Sequence, residues 1–365
     1  LDLSVVILNY NVRYFLELCL HSVKAATASI DAEIIVVDNN SADDSCNMVK
    51  QLFPEVILIE NKENLGFSKG NNQGVAIAKG DYVCILNPDT VVSEDVFFKL
   101  LEFSKTKENL GIVGCKLIDG SGMFLPESKR NIPVVKVALQ KIRGNSANYY
   151  ANHVQENEVA KVEILVGAFM FMKRTVYNQL KGFDEDYFMY GEDIDLSYKA
   201  IKAGFNNYYV GTTAMIHYKG ESTLKDTNYA KRFYGAMQIF YKKHFKSNIV
   251  FDVFVWLGIN LAYLFRKNPN KVKKVSKNMY AFSNMKAQFL SEKLNKKVLV
   301  INSISDINDQ STVVFDPSSM RYKEIVSNMI YLSKKKDISF RILMNNSNFI
   351  IGSDSSNNRG EVITF

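Results

Sequence analysis

Four apolar runs constrain this chain more than any other feature: "LSVVILNY" (3–10), "EIIVVDNNS" (33–41), "VILIE" (56–60) and "DYVCILNPDT" (81–90). They are too continuous for strands with one wet face and suit strands buried on both. Stretches with helical spacing separate them, one through Val23, one over 42–53 and one reaching Lys79, closed by Gly80. The resulting β-α-β-α-β-α-β order predicts an α/β fold with a doubly wound, mainly parallel sheet flanked by helices. Ligands of such sheets sit beyond the carboxyl ends of the strands. The polar strings Asn9–Asn11, Asp38–Ser41 and Asn87–Asp89 fall at three of those ends and are expected to share one site.

A chain of 365 residues has room for one large core and a smaller unit. Its four cysteines (Cys19, Cys46, Cys84 and Cys115) are widely spaced, in apolar surroundings and without a C-x-x-C pair. No disulfide framework or zinc site is expected, and a reducing cytoplasm is the expected compartment. No signal peptide is read before the first strand.

The net charge of +7 is uneven: residues 241–300 carry thirteen Lys and Arg against Asp252 and Glu292, a local +11 that leaves −4 elsewhere. Such a segment suggests a polyanionic surface. Residues 249–265 are an apolar run of seventeen, short for a membrane span, broken by Asp252 and Asn260, and followed by Arg266, Lys267, Lys271, Lys273 and Lys274. This fits a helix lying on an anionic membrane. A core helix beside a solvated basic stretch is the blander alternative. Nucleic acid would suit the charge but not the apolar face, so no nucleic-acid partner is expected.

Three units follow: a catalytic domain over 1–245, a basic amphipathic helical segment over 246–295, and a small α/β unit over 296–365. The last holds "KVLVINS", "ISFRILMN", "NFIIGS" and "EVITF" around a helix near 320–335. Within the first, 118–160 lacks periodicity and reads as a long, mobile loop. "VEILVGAFMFMKR" (162–174) reads as a further strand.

Two glycine-based nucleotide sites are excluded. A dehydrogenase needs G-x-G-x-x-G after strand one, where this chain has "NYNVRYF", and the NTPase loop G-x-x-x-x-G-K-[ST] is absent. What remains is a nucleotide held by Asp and Asn side chains. Asp38 is placed to accept from a ribose hydroxyl or a base N–H, or to cap helix 42–53 through an Asx turn. Asp89 leaves its strand sharply after Asn87-Pro88 and is placed to hold Mg²⁺ or Mn²⁺ against a diphosphate. Ser93 is the expected cap of the helix that follows. His217, in "AMIHYKG", is of a type that is more often structural than ligating.

"YFMYGEDIDLSYKA" (187–200) places Glu192, Asp193 and Asp195 in a first helical turn, where the helix dipole favours acids whatever their role. At about 100° per residue, Asp193 and Asp195 face nearly opposite ways and cannot share one task.

Six segments in register, "SVVILNYN", "VVDNNSADDS", "NLGFSKGNNQG", "ILNPDT", "VGAFMFMKR" and "GFDEDYFMYGEDIDLSYKAIKAGF", carry a resemblance over about residues 3–245. The chain resembles the inverting family 2 glycosyltransferases of GT-A fold, and among them the rhamnosyltransferase-like branch. "SGMFLPESKRNIPVV" looks like a loop of that branch. The resemblance implies a Rossmann-like mixed sheet and the following roles. Asn9 and Tyr10 line a base pocket with Asp38, and Asn40, Lys69 and Asn71 lie near the nucleotide. Asp89 stands at the second acid of the family's D-x-D metal motif, with Asn87 replacing the first, and His217 completes the metal site. Asp193 is the catalytic base, and Glu192 binds or orients the acceptor.

The chemistry agrees with those roles. Inverting transfer needs a carboxylate to take the acceptor's hydroxyl proton and a cation for the departing diphosphate. Tyr187, Phe188 and Tyr190 would offer apolar faces to the sugar, and Asp195 is read as a structural acid. Lys129 and Arg130 either meet an acceptor phosphate or face water, with water favoured. The expected protein is a cytoplasmic, membrane-peripheral enzyme of cell-surface polysaccharide synthesis using Mg²⁺ or Mn²⁺. It moves a sugar from a nucleotide-sugar donor, dTDP-rhamnose above others, to a saccharide or lipid-linked acceptor. Two alternatives stay open. A sugar-nucleotidyltransferase would need a glycine-rich loop that Asn9–Phe15 lacks, and an inactive sugar-nucleotide-binding module draws support from Asn87.

Overall fold

The computed structural model describes residues 1–134, 136, 137, 140, 144–219, 227–245, 276–356 and 359–365. The four apolar runs form β1 (Leu3–Asn9), β2 (Ala32–Asp38), β3 (Ile57–Glu60) and β4 (Tyr82–Leu86). They alternate with α1 (Arg13–Thr27), α2 (Ser45–Leu52) and α3 (Gly66–Ile77). All four strands are parallel, and β1 pairs with β2 so that Asn9 faces Asp38. That register lines up the polar strand ends along one edge.

The chain then adds β5 (Thr90–Val92), α4 (Val96–Lys105), β6 (Leu110–Ile118), β7 (Val159–Lys161), β8 (Phe169–Lys173), α5 (Arg174–Gln179), α6 (Glu192–Lys202) and β9 (Asn206–His217). The nine-stranded sheet runs β3-β2-β1-β4-β8-β6-β9-β5, with β7 also on β9. Strand β8 is antiparallel to β4 and β6, and β5 and β7 are antiparallel to β9, so the sheet is mixed. A helix α7 (Thr227–His244) then packs Ala236, Met237 and Phe240 around Ile194 and Tyr187.

Local differences have physical causes. The run 162–174 is a strand only from Phe169, because Gly167 and Ala168 turn away toward α6, where a Cβ on Gly167 would sit 3.3 Å from that of Asp193. Before that turn, Ile164 bridges to Arg130. The aperiodic region after β6 is therefore folded in at this point, with Ser128, Lys129 and Arg130 buried. Helix α4 starts at Val96 after Asp95, while the Ser93 hydroxyl donates to the Ala214 carbonyl at 2.6 Å instead of capping it.

A second, six-stranded sheet has the order β11-β10-β12-β13-β14-β15. Its elements are β10 (Asn278–Ala281), α8 (Asn284–Leu294), β11 (Leu299–Val300), β12 (Ser311–Phe315), α9 (Tyr322–Leu332), β13 (Ser339–Met344), β14 (Phe349–Gly352) and β15 (Glu361–Thr364). Because β10 is hydrogen-bonded between β11 and β12, this unit takes in residues from 278 onward and not only those after 296.

The two sheets share a core in which Val91, Ile118, Ile216 and Tyr218 pack with Ile325, Val326 and Met329. Glu94 accepts from the backbone N–H groups of Tyr322 and Lys323 at 2.6 and 2.8 Å, meeting orphan donors at the start of α9. The expected interfacial helix at 249–265 lies outside the described residues. No helix among those described is long and apolar enough to cross a membrane.

Candidate active site

The carboxyl ends of β1, β2, β4 and β9 open onto a cavity of about 310 Å³, lined there by Tyr10, Asn39, Asn87, Asp89 and His217. The opposite wall comes from Gly167 before β8, from Tyr190 to Asp193 at the start of α6, and from the loop residues Glu127, Arg130, Tyr149 and Tyr150.

Asp89 and His217 are adjacent because β5 and β9 are antiparallel. Thr90 faces His217, and Tyr218 N–H donates to the Asp89 carbonyl at 2.9 Å. His217 Nε2 lies 3.4 Å from Asp89 Oδ1, with both side chains buried. The His217 Nδ1 atom is buried without a hydrogen-bond partner among the described residues. Among those residues no three His, Cys, Asp or Glu side chains stand close enough together to hold a metal ion by themselves. One carboxylate and one imidazole still fit a divalent cation that takes its other ligands from a diphosphate and water. Asn87 lines the cavity beside them as a neutral amide.

The acidic pair is aimed by an unusual turn. Tyr190 and Gly191 take φ of 70° and 79°, two left-handed residues in succession, before α6 begins at Glu192. Asp193 accepts at Oδ2 from Arg130 Nη2 (2.6 Å) and Gly167 N–H (3.0 Å), and at Oδ1 from Ile194 N–H (2.8 Å). Burial, and then the charge of Asp193, push the Glu192 carboxyl well above the usual carboxylate range. Its Oε2 is buried without a hydrogen-bond partner among the described residues. The two neighbours thus differ: Asp193 is surrounded by donors, while Glu192 is driven toward its neutral form. Asp195 turns away from the cavity as expected. It binds His244 at 2.6 Å, Lys199 at 3.2 Å and the Tyr187 hydroxyl at 3.4 Å, tying α6 to α7.

Of the residues expected around a nucleotide, only Tyr10 lines the cavity. Asn9 and Asp38 lie behind it, with Asn9 Nδ2 donating to Asp38 at 2.7 Å. Asp38 also accepts from the Ser41 backbone (2.8 Å) and hydroxyl (2.7 Å), a local side-chain turn; it does not cap the helix that follows, which begins only at Ser45 after Asp44. Asn40 and Lys69 are exposed. Asn71 donates back to the Phe67 carbonyl within α3. Asn39 takes the lining position at the end of β2, anchored on Asn64 and on the Gly66 carbonyl.

Among the aromatics, Tyr190 lines the cavity and Phe188 is 46% exposed, but Tyr187 is 1% exposed and engaged with Asp195, so it offers no face to a sugar. Arg130 and Lys129 do not face water. Lys129 Nζ donates to the Ala151 carbonyl, and Arg130 is held against Asp193. Glu127 is a further lining acid. Burial would raise its carboxyl, but the ammonium of Lys219, 2.5 Å away, offsets this and the net shift is downward. No periodic signal marked Arg130 or Glu127, because both sit in an irregular segment whose partner at Ile164 is distant in sequence.

Comparison with known proteins bears on this arrangement. The glycosyl transferase family 2 pattern matches residues 4–181. A curated N-acetylglucosaminyl-diphospho-decaprenol L-rhamnosyltransferase of Mycobacterium tuberculosis is 27% identical over 242 residues, covering 61% of this chain and 78% of its own. The rhamnosyltransferase WbbL of Escherichia coli is 28% identical over 167 residues, covering 42% and 61%. Among solved structures, a mannosyltransferase of Pyrobaculum calidifontis in complex with GDP-Man and Mn²⁺ aligns with a TM-score of 0.47, at 19% identity over 72% of each chain.

Proposed function

The chain belongs to glycosyl transferase family 2 through residues 4–181, and on that premise we propose that it moves rhamnose from dTDP-rhamnose to a saccharide or lipid-linked saccharide, with inversion. The names of the mycobacterial and Escherichia coli relatives support the choice of sugar, and the mycobacterial name supports a lipid-linked acceptor. The observation that carries the reading is the Asp89–His217 pair and the Glu192–Asp193 pair lining one cavity at the carboxyl edge of the sheet.

In this reading Asp193 takes the proton of the acceptor hydroxyl. The acceptor oxygen bonds to the anomeric carbon from the face opposite the leaving group. The bond from that carbon to the diphosphate oxygen breaks, and its electron pair leaves with the nucleotide diphosphate. Asp89 and His217 would hold Mg²⁺ or Mn²⁺, which supplies positive charge for the departing diphosphate. Glu192 in its neutral form donates a hydrogen bond that orients the acceptor, and Tyr10 offers its ring to the nucleotide base. The enzyme works in cell-surface polysaccharide synthesis at the inner face of the membrane, where its acceptor is held.

The test is a screen of UDP-, GDP- and dTDP-sugars with Mg²⁺ or Mn²⁺ and a lipid-linked acceptor, detecting released nucleotide diphosphate. Turnover of dTDP-rhamnose above the other donors, lost in Asp193→Asn, is the expected result. Donor binding by calorimetry without turnover on any acceptor would leave a sugar-nucleotide-binding module instead.

A further inference from the structure

Arg130 is a buried charge that the sequence assigned to no catalytic task. It is 6% exposed, and its backbone is pinned by reciprocal hydrogen bonds with Ile164, from Arg130 N–H at 2.9 Å and from Ile164 N–H at 3.0 Å. Its Nη2 donates to the Leu165 carbonyl at 2.7 Å as well as to Asp193 Oδ2 at 2.6 Å, and Nη1 reaches the Tyr149 hydroxyl at 3.4 Å. With main chain and guanidinium both held, the group is a fixture against which the carboxylate is set.

The two carboxylate oxygens of Asp193 are left unequal. Oδ2 receives Arg130 and Gly167 N–H, which together use the acceptor sites of a carboxylate oxygen. Oδ1 receives only the adjacent Ile194 N–H among the described hydrogen bonds and keeps a lone pair. Stability alone is a weak reason for the arrangement, because a buried ion pair is commonly no more stabilising than apolar residues of the same volume. This pair, moreover, lines the cavity. Burial alone would lower the Arg130 pKa, and the charge of Asp193 reverses that, so the guanidinium remains protonated.

We propose that Arg130 is a positioning residue of the transfer reaction, acting through Asp193 by fixing the plane of its carboxylate so that Oδ1 is the atom that receives the acceptor's proton. The inference rests on the reading of Asp193 as the base. The proton passes from the acceptor oxygen to Oδ1 as that oxygen bonds to the anomeric carbon and the diphosphate departs with its electron pair. Arg130 itself gains and loses nothing.

The experiment compares wild type, Arg130→Lys, Asp193→Asn and the double variant in steady-state transfer, with donor affinity measured by calorimetry. A lysine keeps the charge but not the planar group that reaches both the Leu165 carbonyl and Asp193. Arg130→Lys is expected to lower kcat about ten- to a hundred-fold, as a misplaced reacting group does, with the donor KM nearly unchanged. On the Asp193→Asn background the same substitution is expected to add no further loss. An Arg130→Lys protein with wild-type kcat, or one whose loss is equally large on the Asp193→Asn background, overturns the inference. Should Arg130→Lys fail to fold, Arg130→Gln carries the same two comparisons. A wild-type protein that transfers no sugar defeats the reading of function beneath it. An active wild type with indifferent Arg130 variants defeats this inference alone.

Discussion

Asp89 and His217 meet at 3.4 Å because their two strands run antiparallel, so that residues 128 positions apart become neighbours at one sheet edge. In the proposed site the carboxylate would bring full negative charge to a cation, and an imidazole acting as a ligand would bring none. Asp89→Ala is therefore expected to weaken Mn²⁺-dependent transfer more than His217→Ala, with losses on the order of 100-fold and 10-fold. Activity measured across a Mn²⁺ titration checks the order.

The neutral amide of Asn87 lines the same cavity. Asn87→Asp adds an anionic oxygen near Asp89 and is expected to tighten the apparent Mn²⁺ affinity roughly ten-fold, since affinity in such sites follows ligand charge. Unchanged Mn²⁺ dependence in the variant would count against a metal at this place.

Glu192 yields a stability prediction with a definite sign. Its carboxyl is raised by burial and then by Asp193, so the folded state binds its proton more tightly than the unfolded state. The associated stability is present below the unfolded value of about 4.3 and is lost as pH rises through the raised folded value. Glu192→Gln removes that loss. Its melting temperature at pH 8 is expected to exceed wild type by roughly 2 °C or more, with the two curves converging near pH 4. Thermal unfolding across this range reads the effect.

Gly191 sits at φ 79°, and a Cβ there would lie 3.2 Å from those of Ala236 and Tyr187 Cε1 alike. Gly191→Ala is expected to cost about 1–2 kcal/mol in chemical denaturation and to lower kcat by displacing both acids. A fully stable, fully active variant would show that the left-handed turn does not aim them.

Glu94 ties the second sheet to the first through the start of α9. Glu94→Ala leaves the Tyr322 and Lys323 donors without their carboxylate and is expected to destabilise the protein by about 1 kcal/mol. Urea unfolding followed by tyrosine fluorescence provides the measurement.

What the sequence disclosed follows from how local each signal was. Strands β1 to β4 were legible because each is a continuous apolar run, and their polar ends named the edge where the cavity opens. Tyr10, Asp89, Glu192, Asp193 and His217 reach it because each lies at or just beyond the end of a regular element. Asn39 was passed over for Asp38 and Asn40 because one residue decides whether a side chain at a strand end faces the cavity or the turn behind it. Arg130 was assigned to water because its burial depends on the bridge to Ile164, which no local pattern encodes. The four residues of β10 were hidden in a stretch whose dominant character was its positive charge.

The shared core between α9 and the β5–β9 edge has a consequence for biosynthesis. Glu94 and Tyr322 are separated by 228 residues. At ribosomal elongation rates, that interval lasts roughly 10 to 45 seconds. During it, Val91, Ile118, Ile216 and Tyr218 beside Asp89 and His217 lack the helix that covers them in the finished protein. The edge that carries Asp89 and His217 is thus completed late in translation, and the nascent first sheet passes through a period in which these apolar side chains are uncovered.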